Sequence, residues 1–415
     1  MKDFRGNLSR ERQFPASHTD EEIDIPAKNG VMMRMETRRL LRMVSRALIV
    51  MGFFWLTTPP SKAAPVPSLD AVLQPILDEY HLPGMAAAIF TTDGVTEMGV
   101  AGVRKAGSTV NVTKDDLWHW GSDTKMMTAL LAGTFVAEGK LSWDAKVISF
   151  FPEFDDDAVP AAQRDVTLSQ VLRHQAGLME NLNWAELSKT GSLGEQRLAA
   201  VRLALTKPAY PPGTFHYSNT DYVIVAAILE KISGKPWEDL MRERVFAPLG
   251  MKTAGFGGVG TMGQIDQPWP HAATGVAAPI NGPLMDNPAV MAPAGEGHGS
   301  MKDWTAFLID ELRGATRLKA LLPAAIYRAM QTPGPGSKPD GYGYGWGTCD
   351  RSWAGGLALN HSGSNTMNFC VCWLAPGRKF GVAVCTNQGG DLAAKACDDA
   401  ASALIKRYLA ASPPK

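Results

Sequence analysis

Ser122-Asp-Thr-Lys-Met-Met-Thr-Ala-Leu-Leu-Ala-Gly-Thr-Phe-Val-Ala-Glu138 is the stretch on which the reading of this chain turns. Met126, Met127, Leu130, Leu131, Phe135 and Val136 cover most of a helical circumference, so the spacing predicts a helix buried on nearly every side. Ser122 and Lys125 stand three residues apart at its start, on one face, with hydroxyl and amine within reach of each other. A helix amino terminus favours negative charge developing on that serine. A lysine among apolar neighbours is costly to keep charged, so its pKa is expected to fall and it can take a proton. That is an activated nucleophile without a histidine. A capped helix with a snorkelling lysine carries the same letters, so the pair is weighed with the rest of the chain. A second Ser-x-x-Lys, Ser412-Pro-Pro-Lys415, holds two prolines at the chain end and carries no such meaning.

Outward from this helix, the pattern alternates between helix and strand. Leu69 to Tyr80 has apolar residues at helical spacing and is stopped by Pro83-Gly84. Met85–Thr91 and Val95–Val103 read as strands joined at Asp93-Gly94. A helical, proline-punctuated middle runs from about residue 143 to 285. Strands return at Gly343–Cys349, Gly356–His361, Asn368–Ala375 and Phe380–Asn387, the last two closed by Pro376-Gly-Arg-Lys379, and Leu392–Leu409 reads as a final helix. The order predicts a mixed α/β (α+β) fold, with an antiparallel sheet built from both ends of the chain and a helical region inserted between them.

Two further motifs follow the serine–lysine pair. Tyr217-Ser-Asn219 lies after Pro211-Pro-Gly-Thr214 and before the apolar run Tyr222 to Ile232. It can point a phenol and an amide into one cleft, or it can be a turn with a helix cap. His361-Ser-Gly363 stands near the end of a strand. A small residue followed by glycine lets a substrate lie against the strand edge, and a histidine ahead of them can hold an anionic or carbonyl group; a plain turn has the same letters. Lys189-Thr-Gly191 is a competing candidate for this element, but it sits in a polar loop with no strand around it and is set aside.

In this order the three motifs resemble the serine β-lactamase and penicillin-binding-protein family, in its class C β-lactamase-related branch. Trp120-Gly-Ser-Asp-Thr-Lys125, Glu138-Gly-Lys-Leu-Ser142, Leu172-Arg-His-Gln-Ala-Gly-Leu178 and Pro212-Gly-Thr-Phe-His-Tyr-Ser-Asn219 carry the resemblance. So do Ser233-Gly-Lys-Pro236, Pro248-Leu-Gly-Met251, Gly341-Tyr-Gly-Tyr-Gly-Trp346 and His361-Ser-Gly363, so that it spans about residues 69 to 410. It implies a β-lactamase/transpeptidase-like fold with the site between sheet and helical region. It also implies Ser122 as acylated nucleophile, Lys125 and Tyr217 sharing the general-base role, and Asn219 orienting Lys125 and the substrate amide. His361, Ser362 and Gly363 would line the substrate strand, and the backbone N–H groups of Ser122 and Ser364 would form the oxyanion hole. No metal or organic cofactor is implied. The histidine, where β-lactamases usually have lysine, resembles D-aminopeptidase and D-Ala-D-Ala carboxypeptidase members. The expected function is therefore a serine hydrolase acting on short peptides, D-residue-containing ones among them. A carboxylesterase is the alternative, with a β-lactamase or a non-catalytic β-lactam or muropeptide sensor behind it. No Gly-x-Ser-x-Gly elbow occurs, which disfavours an α/β-hydrolase.

Composition narrows the partners. Forty-one basic residues balance 41 acidic ones over 415 residues, so no basic surplus points to nucleic acid. A small peptide or ester substrate is the expected partner. Arg38, Arg39, Arg42 and Arg46, the apolar run Ala47 to Leu56, and Ser61-Lys-Ala-Ala64 predict a secretory leader over 35–63, cut near Ala63/Ala64. About ten apolar residues cannot cross ~30 Å of hydrocarbon, so a stable membrane span is not expected. A leader so placed predicts a start at Met32, Met33 or Met35, an extraneous extension over 1–34, a hydrolase domain over 65–412, and a periplasmic or secreted protein. The five cysteines, Cys349, Cys370, Cys372, Cys385 and Cys397, show no metal-binding spacing. A four-residue turn at 376–379 would set Cys370 opposite Cys385 and Cys372 opposite Ala383, leaving both a disulfide and packed free thiols open.

Overall fold

Ser68 starts the first helix of the computed structural model, its hydroxyl accepting the Ala71 N–H, and His81 ends it in the left-handed conformation. The structure describes residues 67–154, 158–189, 191–283, 285–334 and 340–411. The expected extension, leader and cleavage site, Thr190 of the rejected Lys189-Thr-Gly191, and Ser412-Pro-Pro-Lys415 lie outside these residues. Among the described residues, six helices have twelve residues or more: α1 (Leu69–Tyr80), α2 (Thr124–Ala137), α3 (Leu193–Thr206), α4 (Asn219–Ser233), α5 (Met301–Ala315) and α6 (Asp391–Ala411).

The strands are β1 (Gly84–Thr91), β2 (Gly94–Gly102), β3 (Leu117–Gly121), β4 (Gly255–Phe256), β5 (Gly297–Ser300), β6 (Gly341–Tyr342), β7 (Gly347–Arg351), β8 (Gly356–Ser364), β9 (Phe369–Ala375) and β10 (Phe380–Thr386). Seven form an antiparallel sheet in the order β2-β1-β10-β9-β8-β7-β6, so the first hairpin docks beside the last strand as the pattern predicts. One face of this sheet packs α1 and α6 through Leu69, Leu73, Leu77, Ala396, Ala400 and Leu404. The other face shares a core with α2, α4 and α5, in which Trp120, Met126, Leu130, Ile224, Trp304 and Phe307 are buried together. Helix α2 is buried from Thr124 through Phe135, as an all-round apolar pattern requires.

The structure departs from expectation in three places. The helical middle ends near Phe246, and most of 252–288 is irregular apart from the two residues of β4. Gly257, Gly260, Gly263, Gly275 and Gly282 adopt positive φ there, which a helix does not accommodate. A second sheet, β3-β5-β4, lies beyond the sequence pattern because its strands are too short to show a period. Of the expected strand Gly343–Cys349 only Gly347–Cys349 is strand, as the start of β7, while β6 precedes it and residues 343–346 form the turn between them. Gly345, at φ +77°, turns the chain against α2, where an added Cβ would lie 2.7 Å from the Met126 Cα.

The turn Pro376–Arg378 sets the expected register, with Cys370 opposite Cys385 and Cys372 opposite Ala383. All five cysteines are free thiols. Cys370, Cys372 and Cys385 face the α2 core, while Cys397 belongs to the opposite one. Among the described residues no helix is long and apolar enough to cross a membrane.

Candidate active site

Strand β3 pairs with β5 through a register shift between His119 and Gly121 that leaves Trp120 as the extra residue. The chain then turns through Gly121, at φ +49°, and Ser122-Asp123 before α2 begins. A bulge followed by a left-handed glycine re-aims the backbone, here placing Ser122 at the mouth of the buried helix. Thr124 locks the turn by donating its hydroxyl to the Gly121 carbonyl at 2.7 Å.

Lys125 is 0% exposed, and its Nζ meets three oxygens: Asn219 Oδ1 and the Ala294 carbonyl at 2.7 Å each, and Ser122 Oγ at 3.1 Å. The first two can only accept, so each takes an N–H. The third direction faces a hydroxyl that both donates and accepts. The same positions therefore serve an ammonium donating to Oγ or a neutral amine receiving its proton, which is the geometry a general base needs. A buried cation left without such partners would cost about 3–5 kcal/mol.

Both open readings of Tyr217-Ser-Asn219 are present at once. Ser218 caps α4, its hydroxyl accepting the Asp221 N–H, and Asn219 is the first helical residue. The cap fixes Asn219 so that its amide nitrogen donates to Asn181 Oδ1 at 2.9 Å while its oxygen meets Lys125. The Tyr217 ring centroid lies 4.8 Å from Lys125 Nζ and 4.5 Å from the ring of His174. Burial drives His174 well below its ordinary pKa, with the positive charge of Lys125 adding to it, and drives Asp221 well above its own. The pair lies 2.8 Å apart behind the tyrosine.

Strand β8 supplies the third wall. Its pairing with β7 stops at Asn360, so among the described residues the edge over Ser362–Ser364 has no ladder partner on that side. An added Cβ at Gly363 would lie 1.9 Å from the Trp120 carbonyl oxygen and 2.9 Å from Ser122 N. One at Gly121 would lie 2.3 Å from Ser364 N. The two backbones are in direct contact, and only glycines permit it. Ser122 N and Ser364 N both lie at this contact.

His361 is 1% exposed, and its ring is held inside the protein instead of being presented at the strand edge. Its Nδ1 meets Asp123 Oδ1 at 2.8 Å, and its Nε2 meets the Tyr342 hydroxyl at 3.0 Å. The reason is Asp123, directly after Ser122, which the turn tucks beneath β8. Burial raises the Asp123 pKa, and the bond to His361 opposes that rise. The Cys370 thiol lies 3.3 Å from the other Asp123 oxygen.

Ser122, Lys125, Tyr217, Asn219, Gly363 and Ser364 therefore converge, and His361 supports them from below. Asp123, Asn181, His174, Tyr342 and the Ala294 carbonyl complete the surroundings and were not singled out from sequence. Leu172-Arg-His-Gln-Ala-Gly-Leu178, noticed only as a family segment, was the one signal pointing to His174. Lys189 follows a short helix, paired with Glu186, and takes no part.

A buried serine–lysine pair under a strand edge is the arrangement that the sequence motifs pointed to. The chain belongs to the Beta-lactamase family, whose model matches residues 69–405, and that family is one of serine hydrolases. It is 28% identical over 337 residues to penicillin-binding protein 4 of Amycolatopsis lactamdurans, covering 75% of this chain and 82% of that one. It is 28% identical over 148 residues to a putative D-alanyl-D-alanine carboxypeptidase of Escherichia coli (strain K12), 34% of each chain. The octameric penicillin-binding protein homologue from Pyrococcus abyssi superposes with a TM-score of 0.65 at 23% identity, over 81% of this chain and 77% of that one. The fold is thus the β-lactamase/transpeptidase fold.

Proposed function

We propose that this chain is an exported serine hydrolase that works through an acyl-enzyme on Ser122 and acts on short peptides, including ones with D-residues. The observation that carries the proposal is the contact of Lys125 Nζ with Ser122 Oγ and Asn219 Oδ1, beside Tyr217. In the first step Oγ attacks the scissile carbonyl carbon and its proton passes to the Lys125–Tyr217 pair. The carbonyl oxygen becomes an oxyanion facing the N–H groups of Ser122 and Ser364. When the intermediate collapses, the proton goes to the leaving amine. Water then attacks the Ser122 ester, returning the proton to Oγ and releasing the acid.

The names of the curated relatives, a penicillin-binding protein and a putative D-alanyl-D-alanine carboxypeptidase, support a peptide substrate. Export, to the periplasm or the exterior, rests on the leader pattern over 35–63. One observation favours an ester as second substrate class. With His361 turned to Asp123 and Tyr342, the strand edge offers Ser362 and backbone groups and does not present the histidine to a substrate carboxylate.

A turnover panel tests the reading: D-Ala-D-Ala peptides, other oligopeptides, p-nitrophenyl esters and a chromogenic cephalosporin, each with Ser122→Ala as control. Release of D-alanine or another amine, absent in Ser122→Ala, is expected. Hydrolysis of esters alone makes it a carboxylesterase, cephalosporin turnover a β-lactamase, and stable acylation without turnover a sensor. Wild-type rates in Ser122→Ala overturn the acyl-enzyme.

A further inference from the structure

The register shift ahead of Ser122 leaves Trp120 as the extra residue between the His119–His298 and Gly121–Gly297 pairs. The Gly121 N–H finds a side-chain partner: it donates to His119 Nδ1 at 3.0 Å. Because Nδ1 accepts, the ring carries its proton on Nε2, and Nε2 meets Asp286 Oδ2 at 2.6 Å. The other oxygen, Asp286 Oδ1, accepts from Asn365 Nδ2 at 3.0 Å and from the Asn287 N–H at 2.8 Å. Asn365 follows Ser364 directly, and its own Oδ1 accepts the N–H groups of Met367 and Asn368, which closes the turn after β8. Gly121 precedes Ser122, and Asn365 follows Ser364. A single carboxylate therefore reaches both segments that supply the paired N–H groups.

We propose that Asp286 is the clasp of the oxyanion hole, fixing through His119 and Asn365 the spacing of the Ser122 and Ser364 N–H groups. This rests on the reading of those groups as the hole. Asp286 and His119 are each 2% exposed at the side chain, so the clasp lies within the protein and water does not replace it. Burial alone would raise the Asp286 pKa. The hydrogen bonds from His119, Asn365 and the Asn287 N–H oppose that rise. Asp286 touches no reacting atom. It is a positioning residue, and its effect falls on the charged tetrahedral state, where a hole's donors matter most.

The test uses the mature protein with a p-nitrophenyl ester as substrate and phenylboronic acid as a probe whose serine adduct is an anionic tetrahedron. Every partner of the carboxylate is a donor, so the amide in Asp286→Asn must face at least one donor with a donor of its own. Asp286→Asn is expected to lower kcat by about a hundredfold, the scale for losing one hole donor. Boronate affinity should fall in parallel, while KM changes less than about threefold. Asn365→Ala, which frees only one side, should show a smaller loss of the same kind, and it serves if Asp286→Asn fails to fold. Side-chain nitrogen NMR of the wild-type protein should show His119 protonated at Nε2. A kcat per boronate-titrated site within threefold of wild type in Asp286→Asn, or a wild-type His119 protonated at Nδ1, overturns the clasp. Wild-type turnover in Ser122→Ala instead overturns the acyl-enzyme reading, and the NMR result then decides the clasp alone.

Discussion

The two faces of the seven-stranded sheet are built on opposite principles. Against α1 and α6 the buried side chains are apolar, mostly alanines, valines and leucines, with Phe380 and Cys397 among them. Against α2 the same strands bury Lys125, Asp123, His361, His174 and Asp221 within a shell of tryptophans and leucines. The first face gains stability by removing apolar area from water, about 25 cal/mol per Å², and that gain is indifferent to which chemistry runs elsewhere. The second holds ionisable groups whose desolvation costs stability unless each finds a partner. Cohesion and reactivity are thus separated by the thickness of one sheet, and substitutions on the two faces should fail in different ways.

The largest expected effect is on the reactive face and leaves folding alone. Ser122→Ala should abolish turnover with little change in Tm, and Lys125→Ala should lower kcat by about three orders of magnitude or more. In Lys125→Ala the stability change is expected to be modest, because the charge is removed together with its partners' constraint; rates per folded molecule, with melting curves, separate the two. Next comes Gly363→Ala, where the new methyl must displace the Trp120 carbonyl. A loss of at least about 1–3 kcal/mol is expected from overpacking, together with loss of activity, since Ser122 N moves with that strand. Denaturant melts and ester hydrolysis on one preparation measure both.

On the cohesive face the outcome reverses. Leu404 is fully buried beneath the sheet, so Leu404→Ala should cost about 2–5 kcal/mol while kcat per folded molecule stays unchanged. A fall in kcat of tenfold would break the separation of faces.

The smallest effect concerns pH. Glu311, on α5 in the reactive half, has its pKa raised to about 8 by burial. The folded state therefore keeps a proton that the unfolded chain loses near its ordinary value. This group's stabilising contribution is present below that ordinary value and declines as pH rises towards about 8, above which it is lost. Glu311→Gln should flatten this decline, and urea midpoints measured between pH 5 and 9 should converge at the acid end and part at the alkaline end.

The elements with strong local signals were legible from the chain alone. The all-round apolar helix after Ser122, the hairpin at Asp93-Gly94, the turn register that sets Cys370 against Cys385 and the closing helix all express short-range patterning. So did the serine, lysine, tyrosine and asparagine, because a helix start and a helix cap place side chains by local geometry. The bulged strand of Leu117–Gly121 was not legible, since five residues show no period. Nor was the inward turn of His361, whose partner Asp123 is 238 residues away in the chain.

What the sequence by itself determined is therefore the inventory: a family, a sheet made from both ends, and the side chains of the candidate site. What only the tertiary structure decided is their mutual placement. It set the backbone contact of Gly121 with Gly363, the burial that turns His361 inward, and the carboxylate of Asp286, 167 residues from His119, that ties the two walls together. Local preference is carried by neighbours a few residues apart. The pairing of buried polar groups is satisfied by whatever donor or acceptor the fold brings within 3 Å, and no pattern along the chain records that distance.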